Sequence, residues 1–251
     1  QIITDNLAAA EAIGRYGADH DIALGTLIEI DCDGHRAGVK PDDHETLTAI
    51  ASALGPNLRG VMTHGGGSYG APSASEREAM AEREAHSVCA AAHVLHQAGF
   101  EAPVVSLGST PTALATTDRT GVTELRAGVF AFFDLVMAGL GVCEPVEIAL
   151  SVRTTVIGHQ SVLGWILCDA GWMALSRDRG TQDQAVDCGY GLVCNSHGRI
   201  LPDLMVSATN QEHGIITRRE GSSAPLPDLP VGTQLRILPN HACATAAQHA
   251  G

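Results

Sequence analysis

The 251-residue sequence predicts an α/β plus β chain: parallel strand–helix units of a (β/α)8-type barrel, then an antiparallel β domain. Three observations carry this. Up to about residue 140, short apolar runs alternate with stretches of helical periodicity, and each run ends in a polar or glycine-rich loop. Beyond Gly141 the helical stretches give way to short β-like runs separated by turn residues. A hydrophobic fraction of 45% against 17% charged residues supplies enough apolar surface for packed cores. The expected domains are residues 1–140 and 141–251, with the change falling near 138–146.

Residues 1–5 read as the end of a strand, followed at once by an alanine-rich helix over 7–17. Residues 27–31 form a buried strand, and 33–39 a loop. Pro41, Asp42 and Asp43 cap a helix whose apolar stripe is Leu47, Ile50, Ala51 and Leu54. Gly55 and Pro56 stop it, and 58–63 is the next strand. Ser75 with Glu78 suits a capping box for a long helix ending near Gly99. A strand over 102–107 and a short helix lead to 124–130. That makes about four strand–helix units, where a closed barrel needs eight. The second domain is read as strands over 147–156, 163–169, 191–194, 204–208, 214–217 and 234–238.

A formal net charge of −13 argues against a nucleic-acid partner, and no apolar run is long enough to cross a bilayer. The seven cysteines are odd in number, irregularly spaced and mostly in apolar runs, which predicts reduced, buried thiols of a cytoplasmic protein. Lys40 is the only lysine.

Three loops at predicted strand ends carry candidate chemistry. Gly108, Ser109, Thr110, Pro111 and Thr112 suit a phosphate, although an ordinary helix cap has the same pattern. Gly65, Gly66 and Gly67 let backbone approach a ligand, with Ser68 and Tyr69 adding hydroxyls and a ring; a flexible loop reads alike. Arg36 could hold an anionic or phenolate oxygen, or make a surface ion pair. Near the C-terminus, His241 and Cys243 follow a β-like run. If the extended geometry continues, they aim an imidazole and a thiolate at one point, a zinc pair with open positions. His213, opening another strand, is a candidate ligand, acid–base group or orienter, or a solvated turn residue. Asp169, Ala170 and Gly171, and Ser176, Arg177 and Asp178, read as structural turn and capping residues.

In this order, these segments resemble the D-serine dehydratase/D-threonine aldolase group, alanine-racemase-like pyridoxal-phosphate enzymes of fold type III. The matching residues are 27–31 with Arg36, Ala37, Gly38 and Val39; Thr63 and His64 with Gly67, Ser68 and Tyr69; and 106–112. Glu124, Leu125, Arg126, Ala127 and Gly128 also match, as do 169–171 with 174–176, Gln211 through Gly214, and 239–243.

The resemblance implies the C-terminal half of a pyridoxal-phosphate-binding (β/α)8 TIM-type barrel followed by a C-terminal β domain. Gly108, Ser109 and Thr110, with Tyr69, would cradle the phosphate or flank the ring; Arg36 would lie beside the ring, and Arg126 or Glu124 would approach it from the next strand. His241 and Cys243 would bind zinc and activate the substrate hydroxyl. The implied activity is a pyridoxal-phosphate- and zinc-dependent lyase acting on D-3-hydroxy amino acids. D-serine dehydration to a 2-oxo acid and ammonia is favoured by Cys243, because an acidic residue in its place goes with a harder metal and aldol chemistry. The alternatives are a D-threonine or 3-hydroxy-D-aspartate aldolase, and a non-catalytic zinc- or cofactor-binding relative. The family habit and the partial barrel both suggest a homodimer. The family's Schiff-base lysine lies on the first barrel strand, before the point where this sequence starts, and Lys40 is not at that position. The sequence therefore reads as the C-terminal two-thirds of a longer enzyme or a truncated relative, inactive by itself.

Overall fold

The computed structural model describes residues 1–71 and 73–249. They divide into two compact units, residues 1–128 and the described residues from 129 onward.

The first unit is built on five parallel strands in sequential order: β1 (Ile2–Thr4), β2 (Thr26–Ile30), β3 (Leu58–Thr63), β4 (Val104–Leu107) and β5 (Glu124–Leu125). Sequential order in a parallel sheet is the winding of a barrel wall. The connecting helices are α1 (Leu7–His20), α2 (His44–Leu54), α3 (Ala74–Gln97) and α4 (Thr110–Ala115). The predicted stripe of α2 is the buried one, and packs with Ile28, Ile30, Val61, Val88, Leu95 and Val105 in one core.

Local differences from the sequence reading have local causes. The long helix is capped by Ser73, whose hydroxyl accepts from the Glu76 amide, two residues before the expected Ser75. α1 runs on to His20 and stops where Asp21 takes a left-handed conformation, φ 52°. Such a stop is invisible to a periodicity reading, which ends the helix near Gly17.

In the second unit, six antiparallel strands close into a barrel. They are β6 (Val152–Gln160), β7 (Trp165–Cys168), β8 (Gly191–Asn195), β9 (Ile200–Thr209), β10 (Gly214–Arg218) and β11 (Gln234–Pro239), hydrogen-bonded in the circular order β10, β7, β6, β11, β8, β9. Inward side chains alternate along each strand, with Val152, Val156, Ile166, Val206, Ile216, Leu235 and Ile237 filling the interior. Short helices α5 (Leu135–Gly139), α6 (Trp172–Leu175) and α7 (Ala242–Ala246) complete the unit. Leu135 and Met137 of α5 pack with Ile148, Leu238 and Ala242, so the stretch from Val129 onward groups with the β unit.

All seven cysteines are free thiols. No helix among the described residues is long and apolar enough to cross a membrane.

Candidate functional site

In the first unit, the loops after β2, β3 and β4 are tied to one another by side chains. Asp33 accepts the Gly67 amide at 2.8 Å, and the His35 ring packs so close to Gly66 that a Cβ there would lie 2.6 Å from it. His64 Nδ1 lies 3.1 Å from the Gly108 carbonyl oxygen. Arg126 donates to the Thr63 and Gly108 carbonyls and to the Ser106 hydroxyl, which is also bonded to Glu124. Burial lowers the Arg126 pKa, while Glu84, Glu124 and Glu29 oppose that shift.

Ser109 caps α4 in a reciprocal box with Thr112, and its hydroxyl also lies 2.9 Å from Ser68 Oγ. Gly108 has φ +133°, and a Cβ there would lie 2.7 Å from the Arg126 carbonyl oxygen, so this turn requires glycine. Its N–H donates to Glu84. The hydroxyl of Thr110, a residue 1% exposed, has no hydrogen-bond partner among the described residues. An orphaned buried hydroxyl at a helix start, behind a glycine that admits close approach, fits a phosphate oxygen. Of the three residues expected to cradle it, Thr110 has the uncommitted hydroxyl, whereas Ser109 and the Gly108 amide are engaged within the loops.

Arg36 is exposed and pairs with Glu29 at 3.3 Å. Tyr69 lies with its ring 6.5 Å from that of His64. Lys40 pairs with Asp31 at 2.6 Å.

In the second unit, β11 is central, paired with β6 and β8, and delivers the chain to Asn240 and His241. The expected extended path through Cys243 does not continue. His241 is still extended, at φ −134° and ψ 109°, but Ala242 opens α7, so Cys243 sits in the first helical turn. Both donor types remain within one turn, His241 half-buried and Cys243 exposed.

His241 Nδ1 lies 2.6 Å from Asp178 Oδ2. That hydrogen bond raises the His241 pKa against the opposing effect of burial, and holds the Asp178 carboxyl below its usual range. With Nδ1 held by a carboxylate, the other ring nitrogen is directed to act as a donor, the arrangement that orients metal-binding histidines. Ser176, two residues before Asp178, has φ 70° and ψ 175°, a region essentially reserved for glycine. Its hydroxyl accepts the Asp178 amide at 3.2 Å.

Buried Asn240 accepts from the Thr181 hydroxyl at 2.8 Å and donates to the Gly189 and Asp178 carbonyls, pinning the Asp178 turn to the end of β11. Asp134, 1% exposed, caps α5 through the Met137 amide and accepts the Ala242 amide at 2.9 Å. Burial raises its pKa. The donor chemistry of an oriented imidazole and a thiol suits zinc, with two protein donors. Among the described residues no group of three or more His, Cys, Asp or Glu residues is placed to hold a metal. His213 is exposed in the β9–β10 hairpin, where its carbonyl accepts the Asn210 amide at 2.8 Å. Asp169 accepts from the Thr154 hydroxyl and the Thr155 amide.

The sequence reading missed two carboxylates. Asp178 reads from sequence as a structural turn or capping residue. Glu84, fully buried on α3, passed unnoticed, although it interrupts the buried stripe of Ala81, Val88, Ala91 and Leu95.

Comparison with known proteins agrees with these two units. The profile of the alanine racemase N-terminal domain matches residues 1–136, and that described as "Putative serine dehydratase domain" matches residues 149–251. The chain belongs to the D-serine dehydratase/D-threonine aldolase-like family of alanine-racemase-like fold.

A D-threo-3-hydroxyaspartate dehydratase of Delftia sp. (strain HT23) is 52% identical over 253 residues, covering 99% of this chain and 67% of the relative. Its solved structure superposes with a TM-score of 0.94, over 98% of this chain and 66% of that one. An alanine racemase-like protein from Idiomarina loihiensis is 47% identical, with a TM-score of 0.94 over 99% and 66% of the two chains. D-serine dehydratase of Dictyostelium discoideum is 29% identical over 88% of this chain and 58% of its own length. The chain thus spans about two thirds or less of the length of these relatives.

Proposed function

We propose that this chain is part of a pyridoxal-phosphate- and zinc-dependent lyase that dehydrates a D-3-hydroxy amino acid to a 2-oxo acid and ammonia. The observation that carries the reading is the 2.6 Å contact of Asp178 with His241, one helical turn's start away from Cys243. Solved structures of D-threo-3-hydroxyaspartate dehydratase include a cysteine-to-alanine mutant in a metal-free form and a histidine-to-alanine mutant, the histidine lying two residues before the cysteine. That spacing is the one between His241 and Cys243, and it supports assigning the metal to this pair.

When bound, pyridoxal phosphate supplies an electron sink for a carbanion at Cα, and zinc a Lewis acid for the departing β-hydroxyl. The chain's own residues hold and orient. Thr110 would donate its orphaned hydroxyl to a phosphate oxygen. Arg126 fixes the carbonyls of the loops after β3 and β4, so its part is to shape the site beside the ring, with Glu124 steadying it through Ser106. Arg36, which pairs with Glu29, and Tyr69 are the remaining candidates to approach the ring. Asp178, bonded to His241 Nδ1, would leave Nε2 for zinc, and Cys243 would contribute the second protein donor. Asp134 fixes the start of α7, which carries both donors.

The 52% identity to a D-threo-3-hydroxyaspartate dehydratase moves the preferred substrate from D-serine toward a 3-hydroxy-D-aspartate, with D-serine second. Aldolase relatives at 27% identity keep cleavage of the Cα–Cβ bond as the competing reaction. The test is metal content: protein expressed from the complete reading frame binds one zinc per chain, and His241→Ala and Cys243→Ala each abolish it. Retention of full zinc by both variants refutes the assignment.

A further inference from the structure

Glu84 is a buried carboxylate to which no role in the reaction has been given. It projects from the middle of α3 and is fully buried. Oε1 accepts two backbone amides from two different loops, Gly65 after β3 at 2.8 Å and Gly108 after β4 at 3.1 Å. Oε2 makes no hydrogen bond of regular geometry among the described residues, and burial raises the Glu84 pKa against the Thr112 side chain and the two amides. Gly65 is tightly seated: a Cβ there would lie 3.0 Å from Thr112 Cγ2 and 3.1 Å from Glu84 Oε2.

Arg126 binds the same two loops by their carbonyls, at Thr63 and Gly108. One buried carboxyl therefore gathers amides from the two loops, and one guanidinium gathers the carbonyls of Thr63 at the end of β3 and Gly108 after β4. Ser68 extends the seam, donating to the Gly65 carbonyl at 2.6 Å and lying 2.9 Å from Ser109 Oγ, the cap of α4. Burying a carboxylate without a full set of partners is costly. Its placement under two amides makes it a positioning device, for it lies under the loops that lead to Thr110.

We propose that Glu84 is a positioning residue that locks the loops after β3 and β4 into one anion-binding unit, so that phosphate affinity at Thr110 depends on a carboxylate that does not itself touch the ligand. This rests on the cofactor reading above and names a residue that the reading does not contain.

The test compares Glu84→Ala with Glu84→Gln, which keeps an oxygen in the place of Oε1. Amide hydrogen exchange at Gly65 and Gly108 reads the lock, and titration with pyridoxal 5′-phosphate, with inorganic phosphate as competitor, reads the site. Glu84→Ala is expected to speed exchange at both glycines together and weaken pyridoxal phosphate binding by about tenfold or more, the loss expected for unsatisfied buried amides. Glu84→Gln is expected to restore both readouts to within about threefold of wild type. Unchanged exchange in a folded Glu84→Ala protein overturns the proposal. So does faster exchange with undiminished binding, and so does a Gln variant as impaired as Ala. If the unaltered protein binds no pyridoxal phosphate, it is the cofactor reading that fails. The proposed link from Glu84 to phosphate affinity falls with it, and the exchange arm still reports whether Glu84 ties the two loops.

Discussion

Asp178 Oδ2 lies 2.6 Å from Nδ1 of His241, joining the turn after α6 to the residue just before α7. The two are 63 positions apart in sequence, and the buried Asn240 side chain holds the same turn from the other side. The imidazole is oriented by the protein's own carboxylate.

Removing that orientation should cost metal affinity without removing a donor. Asp178→Ala and Asp178→Asn are expected to weaken zinc binding by about 10–100-fold, the usual effect of losing a carboxylate behind a ligating histidine. Competition against a chelating dye measures it, and wild-type affinity in both variants would show that Asp178 does not orient the donor.

The same pair gives a signed pH dependence in the metal-free protein. His241 has a raised pKa, so its stabilisation is complete below the ordinary histidine pKa of 6.5 and is lost as pH rises through the raised value. Asp178 has a lowered pKa, so its stabilisation is present above 3.8 and is lost as pH falls through the lowered value. Urea unfolding across this range should show both losses in the wild type. Asp178→Asn should flatten the difference, and an unchanged profile would contradict the ion pair.

Asp134 serves two helix starts with one carboxylate. Asp134→Ala strips the cap from α5 and leaves the Ala242 amide without its acceptor, a loss of about 2–3 kcal/mol. Asp134→Asn keeps one oxygen acceptor and should lose less. Denaturant midpoints decide between them, and equal stability of Asp134→Ala and wild type would refute the double cap.

Gly108 tests the loop geometry. Alanine there would be held at φ +133° with its Cβ against the Arg126 backbone, so Gly108→Ala should destabilise by about 1–3 kcal/mol and reduce pyridoxal phosphate affinity. A stable variant with wild-type affinity would show that the turn is not needed as seen.

What could be read from sequence follows from which interactions are local. The α2 stripe of Leu47, Ile50, Ala51 and Leu54, and the strands through Ile28 and Val61, declare themselves by period. Barrel closure does not, since the pairings of β10 with β7 and of β11 with β8 join residues far apart in sequence. α7 was missed because Ala242 through Ala246 has no capping side chain and spans hardly more than one turn. The roles of Asp178 and Glu84 depend on His241 and on Gly65 and Gly108, partners that only folding brings near.

The central proposal, dehydration of a D-3-hydroxy amino acid, is tested most directly by product analysis. Protein from the complete reading frame, given pyridoxal phosphate and zinc, is offered D-threo-3-hydroxyaspartate and D-serine in parallel. The account predicts oxaloacetate or pyruvate with an equal amount of ammonia, lost in His241→Ala. Glycine with an aldehyde product, or no 2-oxo acid from either substrate, would contradict it.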